Sequence, residues 1–277
     1  MNSTINPTIS IIIVNYRSGA LVRETIKSFK CLHTALTYEI IVVDNEGDRK
    51  LQECIAERFG DVHYVALRRN LGLAVANNTG ARVARGTYLL FSNPDITAME
   101  GCLETLHDHL EKNPDIGIAG PRLLNPNGTV QQSYYHFYTP LTPLYRRLFL
   151  SRFAFAKKHL EHFLMRQEDM SQPRDVDLLM GACLFVRKSV LDDVGLMDEN
   201  FFLYFEDVDW CKRFWNAGYR VVYIPQARMI HLHKRDSAQK TGIFSVFDRY
   251  TRIHIASSIR YFLKHWPHYA RRKEHTS

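Results

Sequence analysis

The sequence has few cysteines, and they are not spaced as in a disulfide framework or a zinc site. The five cysteines are scattered through 277 residues, and no Cys-x-x-Cys occurs. The simplest expectation is a reducing, cytosolic compartment. No segment approaches the roughly 20 uninterrupted apolar residues that a bilayer-spanning helix needs, and no basic stretch followed by a cleavable apolar one opens the chain. If the protein meets a membrane, we expect it to lie on the surface.

The sequence also lacks the glycine-rich loops that bind phosphates through backbone amides. Neither Gly-x-Gly-x-x-Gly nor a Walker pattern occurs. A bound nucleotide diphosphate must then be held by a metal ion and side chains. The same absence disfavours a sugar-phosphate nucleotidyltransferase, which usually needs such a loop with a Lys or Arg near the N-terminus.

The chain does contain enough apolar side chains for a substantial core. Hydrophobic residues make up 45% of it and charged residues 23%, as in ordinary folded proteins. The formal net charge of +7 is unevenly distributed, because residues 244–277 hold seven Lys and Arg against two acidic residues. Composition names no function, but it places most of the excess positive charge at the C-terminus.

Short β-rich apolar runs alternate with helical patterns through the first half of the chain. This alternation predicts an α/β fold with mainly parallel strands and crossover helices. Ligands of such sheets bind at the carboxyl ends of the strands. We expect the nucleotide pocket there, because polar residues follow three of the runs: Asn15-Tyr16-Arg17, Asp44-Asn45 and Asn93-Pro94-Asp95.

A region of different character interrupts the alternation. After about Asn125 the pattern dissolves into a turn, an aromatic stretch and a basic apolar segment, Leu144–Lys158, with five Lys and Arg and no acid. We expect residues 122–174 to be an acceptor-side insertion. The prediction is one domain over residues 1–243, followed by a basic amphipathic helix and tail over residues 244–277.

Two acidic motifs could support catalysis. Asp95 follows an apolar strand and a proline, where a carboxylate could bind a hard divalent cation together with substrate phosphates. A turn that caps the next helix is the alternative. Three further carboxylates, Glu206, Asp207 and Asp209, follow an aromatic run. Because neighbouring carboxylates repel, this acidic cluster needs a cation, a raised pKa or a helix N-terminus. One of them could act as a general base.

Three other positions are weaker candidates. His231 closes a strand-like run and could be a nitrogen ligand to a metal, although the chain has thirteen His and most such residues are structural. Asp44 ends a strand, which suits a hydrogen bond to a nucleobase or ribose and suits a turn equally well. The segment Asn70–Asn78 has small residues that permit close approach of another backbone.

Together these segments resemble the family-two inverting glycosyltransferases, and within them the rhamnosyltransferase-like members of bacterial polysaccharide assembly. Each matching stretch is weak by itself, but seven in the family's order are specific. The resemblance implies the GT-A fold, a nucleotide-binding mixed and mainly parallel sheet flanked by helices. The matching stretches span about Ser10 to His233: Ser10–Tyr16, Val42–Asn45, Asn70–Ala74, Asn93–Asp95, Met180–Ala182, Phe205–Cys211 and His231.

The resemblance also implies roles for the matching residues. Asp207 would be the catalytic base, and Asp95 and His231 would bind Mn²⁺ or Mg²⁺. Asn93 replaces the first Asp of the family's Asp-x-Asp motif, so it would contact ribose or diphosphate rather than the metal. Asp44 would contact the base of the nucleotide. The other expected donor contacts are Asn15, Tyr16 and Asn70, and the residues expected in the donor and acceptor cleft are Gly181, Ala182, Glu206 and Asp209.

The implied reaction is a single displacement, in which an acceptor hydroxyl attacks a nucleotide-diphosphate sugar and inverts the anomeric centre. The resemblance favours dTDP-L-rhamnose as donor. The residues are equally compatible with a UDP-hexose or UDP-galactofuranose, because such selectivity depends on pocket geometry. A non-catalytic sugar-binding module would leave the acidic cluster unexplained. The expected acceptor is a saccharide linked to a lipid diphosphate, and no nucleic-acid partner is expected.

The C-terminal residues predict a membrane-surface helix on physical grounds. A basic amphipathic helix can lie on an anionic interface, each cation contributing roughly 1 kcal/mol. Packing on the domain is the alternative. We expect a cytoplasmic protein, peripheral on the inner face of the cell membrane, in O-antigen or other cell-surface polysaccharide synthesis. The helical stripe comprises Phe247, Thr251, Ile255, Ile259, Phe262 and Trp266, with Arg249, Arg252, Arg260 and Lys264 between them.

Overall fold

The structure, a computed structural model, describes residues 6–147, 153–232 and 248–274. Its strands are β1 (Ile9–Asn15), β2 (Tyr38–Asp44), β3 (His63–Ala66), β4 (Tyr88–Ser92), β5 (Ile96–Ala98), β6 (Ile116–Leu124), β7 (Tyr134–Tyr135), β8 (Arg174–Asp175), β9 (Leu178–Leu179), β10 (Cys183–Arg187) and β11 (Arg220–His231). Its helices are α1 (Gly19–Lys30), α2 (Arg49–Arg58), α3 (Leu73–Val83), α4 (Cys102–Lys112), α5 (Leu141–Arg147), α6 (Ala154–Phe163), α7 (Leu191–Val194), α8 (Glu206–Asn216) and α9 (Arg249–Glu274).

One mixed sheet organises the described part of the chain. Its strand order is β3-β2-β1-β4-β10-β6-β11-β5, with β8 also pairing with β11. Six strands point the same way, and β5, β8 and β10 run against them. The predicted fold class, a mixed and mainly parallel sheet flanked by helices, is confirmed. All seven residues of β1 are buried, and because helices cover both faces its sequence is a continuous apolar run rather than an alternating one.

Helices on both faces of the sheet produce two cores. On one face lie α1, α2 and α4; in α1 the buried residues Val22, Ile26 and Phe29 recur at helical spacing. On the other face lie α3, α8 and α9, where Trp210 of α8 and Tyr261 of α9 are fully buried. Burial of each such side chain contributes about 1.5–3 kcal/mol before the entropy of ordering is subtracted. The C-terminal helix is therefore part of the second core.

The insertion contains more regular structure than its sequence predicts. It holds α5 and α6, and β7 pairs with β9. The ring of Tyr135 stacks on Phe163 at a centroid distance of 5.1 Å, and Tyr138 packs on the same ring at 4.7 Å. The expectation that the pattern dissolves here is wrong for α6. Its packing rests on aromatic contacts with residues distant in sequence, which local periodicity does not reveal.

The helix α9 packs on the domain, which was the alternative to a helix lying only on a membrane. Its opposite side exposes Ile259 (54% exposed) and Leu263 (72% exposed). Of the predicted stripe, Phe247 and the side chain of Trp266 lie outside the described residues. No helix in the described ranges is long and apolar enough to cross a membrane. The residues of α9 buried against the domain are Thr251, Ser257, Ser258, Tyr261 and His265.

Candidate functional site

A cleft of about 720 Å³ opens at the carboxyl ends of β1 and β4, where the sequence predicts the nucleotide pocket. Its walls come from these strand ends, the loop before α3, the loop before α8, the end of β11 and the first turn of α9. The structure brings five of the predicted donor-site and metal-site residues together on these walls, namely Tyr16, Asn70, Asn93, Asp95 and His231.

The pairing of β5 with β11 places Asp95 beside His231. In this antiparallel ladder His231 lies opposite Ile96, and the Leu232 N–H donates to the Asp95 carbonyl at 3.0 Å. The side chains consequently meet, and His231 Nε2 lies 3.3 Å from Asp95 Oδ1.

Gln131 determines the tautomer of His231. Gln131 Oε1 accepts from His231 Nδ1 at 2.6 Å, and Gln131 Nε2 donates to Asn125 Oδ1 at 3.2 Å, which sets the orientation of the amide. In the neutral imidazole Nε2 then carries the lone pair, next to an oxygen of Asp95. Two acceptor atoms at this distance fit a shared proton or cation. A hydrogen bond from the second ring nitrogen is also the usual support of a metal-binding histidine.

These residues fit a divalent cation that is shared with a substrate. Within residues 6–147, 153–232 and 248–274, no group of three or more His, Cys, Asp or Glu converges on one point. The chain therefore offers one carboxylate and one imidazole here. Mg²⁺ is commonly bound by one or two carboxylates with substrate phosphates completing the shell, and imidazole is accepted by the softer divalent metals. The assignment of Asp95 and His231 as metal ligands stays a prediction.

The loop before α3 forms one wall through a close backbone contact. Gly72 has a φ of 96°, and a Cβ at this position would lie 2.6 Å from the Phe202 carbonyl oxygen, so only glycine fits. Asn45 Nδ2 donates to Asn70 Oδ1 and to the Gly72 carbonyl, each at 3.0 Å. The expected close approach of another backbone at this loop is confirmed.

Asp44 and Asn15 lie behind the cleft wall, which corrects their predicted place on the donor. Both are fully buried, and Asn15 Nδ2 donates to Asp44 Oδ1 at 3.0 Å. Asp44 also accepts from the Tyr64 hydroxyl and from two backbone N–H groups of the following loop. Because these bonds occupy its oxygens, Asp44 braces the strand ends that present Tyr16 and Asn45 to the cleft.

Asp207 is held in the first turn of α8 by two backbone amides. Asp207 Oδ2 accepts from the Gly181 N–H and Oδ1 from the Val208 N–H, each at 2.8 Å. A Cβ on residue 181 would lie 3.1 Å from Asp207 Oδ2, so a larger residue than glycine would push the carboxylate away. The Asn93 N–H donates to the Ala182 carbonyl at 2.9 Å, which joins this segment to the wall of the cleft.

The chain is strained where it enters α8. Tyr204 and Phe205 have φ values of 66° and 67°, in the left-handed region that bulky residues avoid at a cost of about 1–3 kcal/mol each. The ring of Phe205 packs against Tyr138 of the insertion at 5.0 Å and against Tyr261 of α9 at 5.5 Å. Packing from two other parts of the chain thus maintains the strained turn that positions the acidic cluster.

Glu206 and Asp207 both have raised pKa values. Burial is the largest cause for Glu206, the charge of Asp207 adds to it, and together they raise the pKa of Glu206 to about 8. Burial also raises the pKa of Asp207, against the opposing effect of the hydrogen bonds from the Gly181 and Val208 amides. Of the two carboxyl groups, Glu206 is the one that keeps its proton at neutral pH. Glu206 is itself buried, not open to the cleft as predicted.

Asp209 faces away from the cleft, contrary to its predicted place there. It is fully buried and accepts from Lys264 Nζ at 2.7 Å, His265 Nε2 at 2.9 Å and Arg213 Nε at 2.9 Å. Burial would raise the pKa of Asp209, but the hydrogen bonds from His265 and Lys264 outweigh it and the pKa is lowered. The physical reason for the correction is that residues two apart on a helix do not share a face, so Asp207 and Asp209 point to different partners.

Sequence reasoning missed the part of the site that α9 supplies. Arg249, Tyr250 and Ile253 line the cleft. The spacing of Arg249 and Ile253 shows that they share a helix face, but no local signal tells where that face points. Gln131 was missed as well, because it is 100 residues from its partner His231 and meets it only in the folded structure.

The mixed and mainly parallel α/β sheet, with a cleft at its carboxyl edge, has the architecture of a GT-A type fold. A family model, Glycosyl transferase family 2, matches residues 10–195. The chain therefore belongs to glycosyl transferase family 2 and is a glycosyltransferase. The resemblance found in the sequence is confirmed.

Similar proteins support this membership. The N-acetylglucosaminyl-diphospho-decaprenol L-rhamnosyltransferase of Mycobacterium tuberculosis is 27% identical over 246 residues, which cover 82% of this chain and 76% of that protein. The dTDP-rhamnosyl transferase RfbF of Shigella flexneri is 26% identical over 244 residues, covering 86% and 73%. The crystal structure of GalNAc-T7 with UDP, GalNAc and Mn²⁺ superposes with a TM-score of 0.69 at 17% identity over 96% of this chain, which spans 50% of that one. This last likeness shows the fold.

We expect Glu206→Gln to stabilise the protein at about pH 8 and to change its stability little at about pH 4.5. An unfolded glutamate ionises near the lower pH, whereas folded Glu206 keeps its proton up to about pH 8. Between these two pH values the free energy of unfolding of the wild type falls by about 1.4 kcal/mol per pH unit. Glutamine does not ionise, so the variant avoids this loss. Because the two pKa values lie roughly 3.5 pH units apart, urea denaturation should show a gain of up to about 4 kcal/mol at the higher pH. The exposed control Glu57→Gln should have no effect, and equal stability of wild type and E206Q at both pH values would contradict the raised pKa.

Proposed function

We propose that the protein is a metal-dependent, inverting rhamnosyltransferase. It transfers L-rhamnose from dTDP-L-rhamnose to a saccharide linked to a lipid diphosphate, in O-antigen or other cell-surface polysaccharide synthesis. The observation that carries the proposal is the placement of Asp207 on a segment bonded to the wall of the donor cleft, through Gly181, Ala182 and Asn93. The segment that would hold the base is thus bonded to a residue of the cleft wall, which supports the proposal.

In the proposed mechanism Asp207 takes the proton of the acceptor hydroxyl. The hydroxyl oxygen forms a bond to the anomeric carbon as the bond to the diphosphate oxygen breaks on the opposite face, which inverts that centre. The raised pKa of Asp207 makes it a stronger base, and its two amide hydrogen bonds keep the carboxylate in one orientation. Glu206, protonated at neutral pH, does not compete for the proton.

The cleft residues would bind and orient the donor. Asp95 and His231 would hold a divalent cation, which when bound supplies positive charge to the leaving diphosphate. Asn93, beside them, would contact ribose or diphosphate. Tyr16 and Asn70, which both line the cleft, would contact the nucleoside.

The rhamnose assignment rests on the relatives, two of which carry rhamnosyl transfer in their names. One of these names also specifies an acceptor on a diphospho-decaprenol, a lipid diphosphate. The solved relative with UDP and Mn²⁺ supports the nucleotide and the divalent metal. A UDP-hexose or UDP-galactofuranose is the alternative donor, since a cleft of about 720 Å³ admits any of these nucleotide sugars.

Thermal unfolding with Mn²⁺ and a panel of nucleotide sugars tests the donor. A ligand that binds only the folded state stabilises it by about 2.7 kcal/mol at a concentration of 100 times Kd. We expect dTDP-L-rhamnose to raise the midpoint most. A larger rise with a UDP-sugar would change the donor and keep the mechanism. No rise with any nucleotide sugar would contradict the proposed use of the cleft.

We expect Asp207→Asn to abolish turnover while donor binding stays nearly intact. Asparagine keeps the shape and can still accept the Gly181 N–H, but it cannot take up a proton. Loss of a general base lowers kcat by about 10²- to 10⁴-fold. Steady-state kinetics and calorimetric titration of the donor measure the two effects. The exposed control Asp108→Asn should behave as wild type, and turnover retained by D207N would remove Asp207 from the role of base.

We propose further that the protein lies on the inner face of the cell membrane, where a lipid-linked acceptor is found. The outer side of α9 exposes Ile259 and Leu263, with Arg252 and Arg260 exposed near them. Apolar residues flanked by cations bind anionic lipid surfaces. In the insertion, Phe155 is 59% exposed and offers a second contact. Part of the basic apolar segment Leu144–Lys158, which contains Phe155, lies outside the described residues.

We expect the protein to float with liposomes that contain anionic lipid, and the double variant Ile259→Ser with Leu263→Ser to float several-fold less. Each aliphatic side chain lost from the lipid interface removes up to about 1.5–3 kcal/mol. The matched control is Val83→Ser, which removes an exposed apolar side chain from α3. Wild-type protein that stays wholly in the soluble fraction would contradict the membrane proposal and leave the glycosyl transfer untouched.

A further inference from the structure

The first turn of α9 closes one side of the donor cleft. Arg249 and Tyr250 line the cleft together with Ile253, one turn further along. Asp248 caps the helix, and its Oδ2 accepts from the backbone N–H groups of Tyr250 and Thr251 at 3.0 and 3.1 Å. Because these amides are already bonded, Arg249 supplies the positive charge that this end of the helix presents to the cleft.

Arg249 is also the arginine of the cleft whose charge is not already neutralised. Among the described residues that line the cleft, Arg17 and Arg249 carry a guanidinium. Arg17 is bound to Glu46 by contacts of 2.8, 2.9 and 3.0 Å. Arg249 makes no ion pair with any residue in the described ranges. A guanidinium binds phosphate oxygens in a bidentate manner, which matches the diphosphate of a nucleotide sugar.

Polar contacts hold α9 in the position that brings Arg249 to the cleft. Ser257 Oγ donates to the Leu203 carbonyl at 2.9 Å, and Leu203 itself lines the cleft. Further along, Lys264 Nζ bonds to Asp198 at 2.6 Å and to the buried Asp209 at 2.7 Å. This second attachment is about four turns, or roughly 22 Å, from Arg249. A helix fixed at both places holds its first turn against the cleft.

We propose that α9 is part of the donor site. Arg249 contacts the diphosphate of the nucleotide sugar, and Asp209 is a positioning residue that acts through Lys264 and His265 to keep Arg249 at the cleft. The inference rests on the proposed function, since it needs a nucleoside diphosphate in the cleft. It gives the third carboxylate of the acidic cluster a role in donor binding that does not involve the reacting atoms.

Calorimetric titration of thymidine diphosphate and uridine diphosphate into the full chain with Mn²⁺ tests the contact. Arg249→Ala should weaken binding of the diphosphate about tenfold, as expected for loss of a charge-assisted hydrogen bond. Arg249→Lys should recover part of the affinity, because it keeps the charge and loses the bidentate geometry. The matched control is Arg252→Ala, on the same helix but not on the cleft wall, and it should bind as wild type. Thymidine, which has no phosphate, should not distinguish R249A from wild type.

A double-mutant cycle tests the positioning role without disturbing the buried acid. Lys264→Ala removes a partly exposed partner of Asp209 and should weaken diphosphate binding in the same direction as R249A. If Lys264 acts through Arg249, the double variant should bind no more weakly than R249A alone, since coupled residues are not additive. Fully additive effects would overturn the positioning role of Asp209 and Lys264.

The outcomes separate this inference from the function on which it rests. Equal affinity of R249A and R252A for a diphosphate that wild type binds would overturn the Arg249 contact and leave the proposed function standing. A wild-type chain that binds neither diphosphate would overturn both.

Discussion

The site depends on how the polar groups at the carboxyl ends of the strands satisfy one another. A buried polar group without a partner costs about 1–3 kcal/mol, so strand ends that carry such groups must meet in register. Asn15 bonds to Asp44 between β1 and β2, and the Asn93 amide bonds to Ala182 between β4 and β10. The pairing of β5 with β11 then brings Asp95 to His231. These contacts cross the sheet, and they join the segment that bonds to Asp207 to the wall of the cleft.

The three carboxyl groups of the acidic cluster differ in protonation and in bonding because they have different neighbours. Asp207 meets two backbone amides next to a glycine, and Glu206 meets no described partner for one of its oxygens. Asp209 meets the side chains of Arg213, Lys264 and His265. Burial acts on all three, and only their partners differ. The result is one carboxylate held by backbone amides, one neutral acid and one structural anion within the first turn of a helix.

The C-terminal helix contacts the core, the cleft and the solvent on different sides. One side of it contributes Tyr261 to the core and bonds to Asp209, its first turn reaches the donor cleft, and the opposite side exposes Ile259 and Leu263. Donor binding and contact with a membrane would therefore act on a single rigid element. The strained turn at Phe205 adds a contact with Tyr138 of the insertion.

The sequence by itself determined the α/β fold, the carboxyl-edge location of the cleft and the family. These follow from local properties, because the period of apolar residues and the polar residues that end each run are readable along the chain. The order of its motifs also identified Asp95 and His231 as candidate metal ligands and Asp207 as the candidate base.

Only the tertiary structure decided which of these polar residues meet. It placed Asp44 behind the wall and Asn45 on it, directed Asp209 to α9, and brought Arg249 to the cleft. Each outcome depends on a partner far away in sequence. A carboxylate's role is determined by the groups that surround it after folding, and no local pattern encodes them.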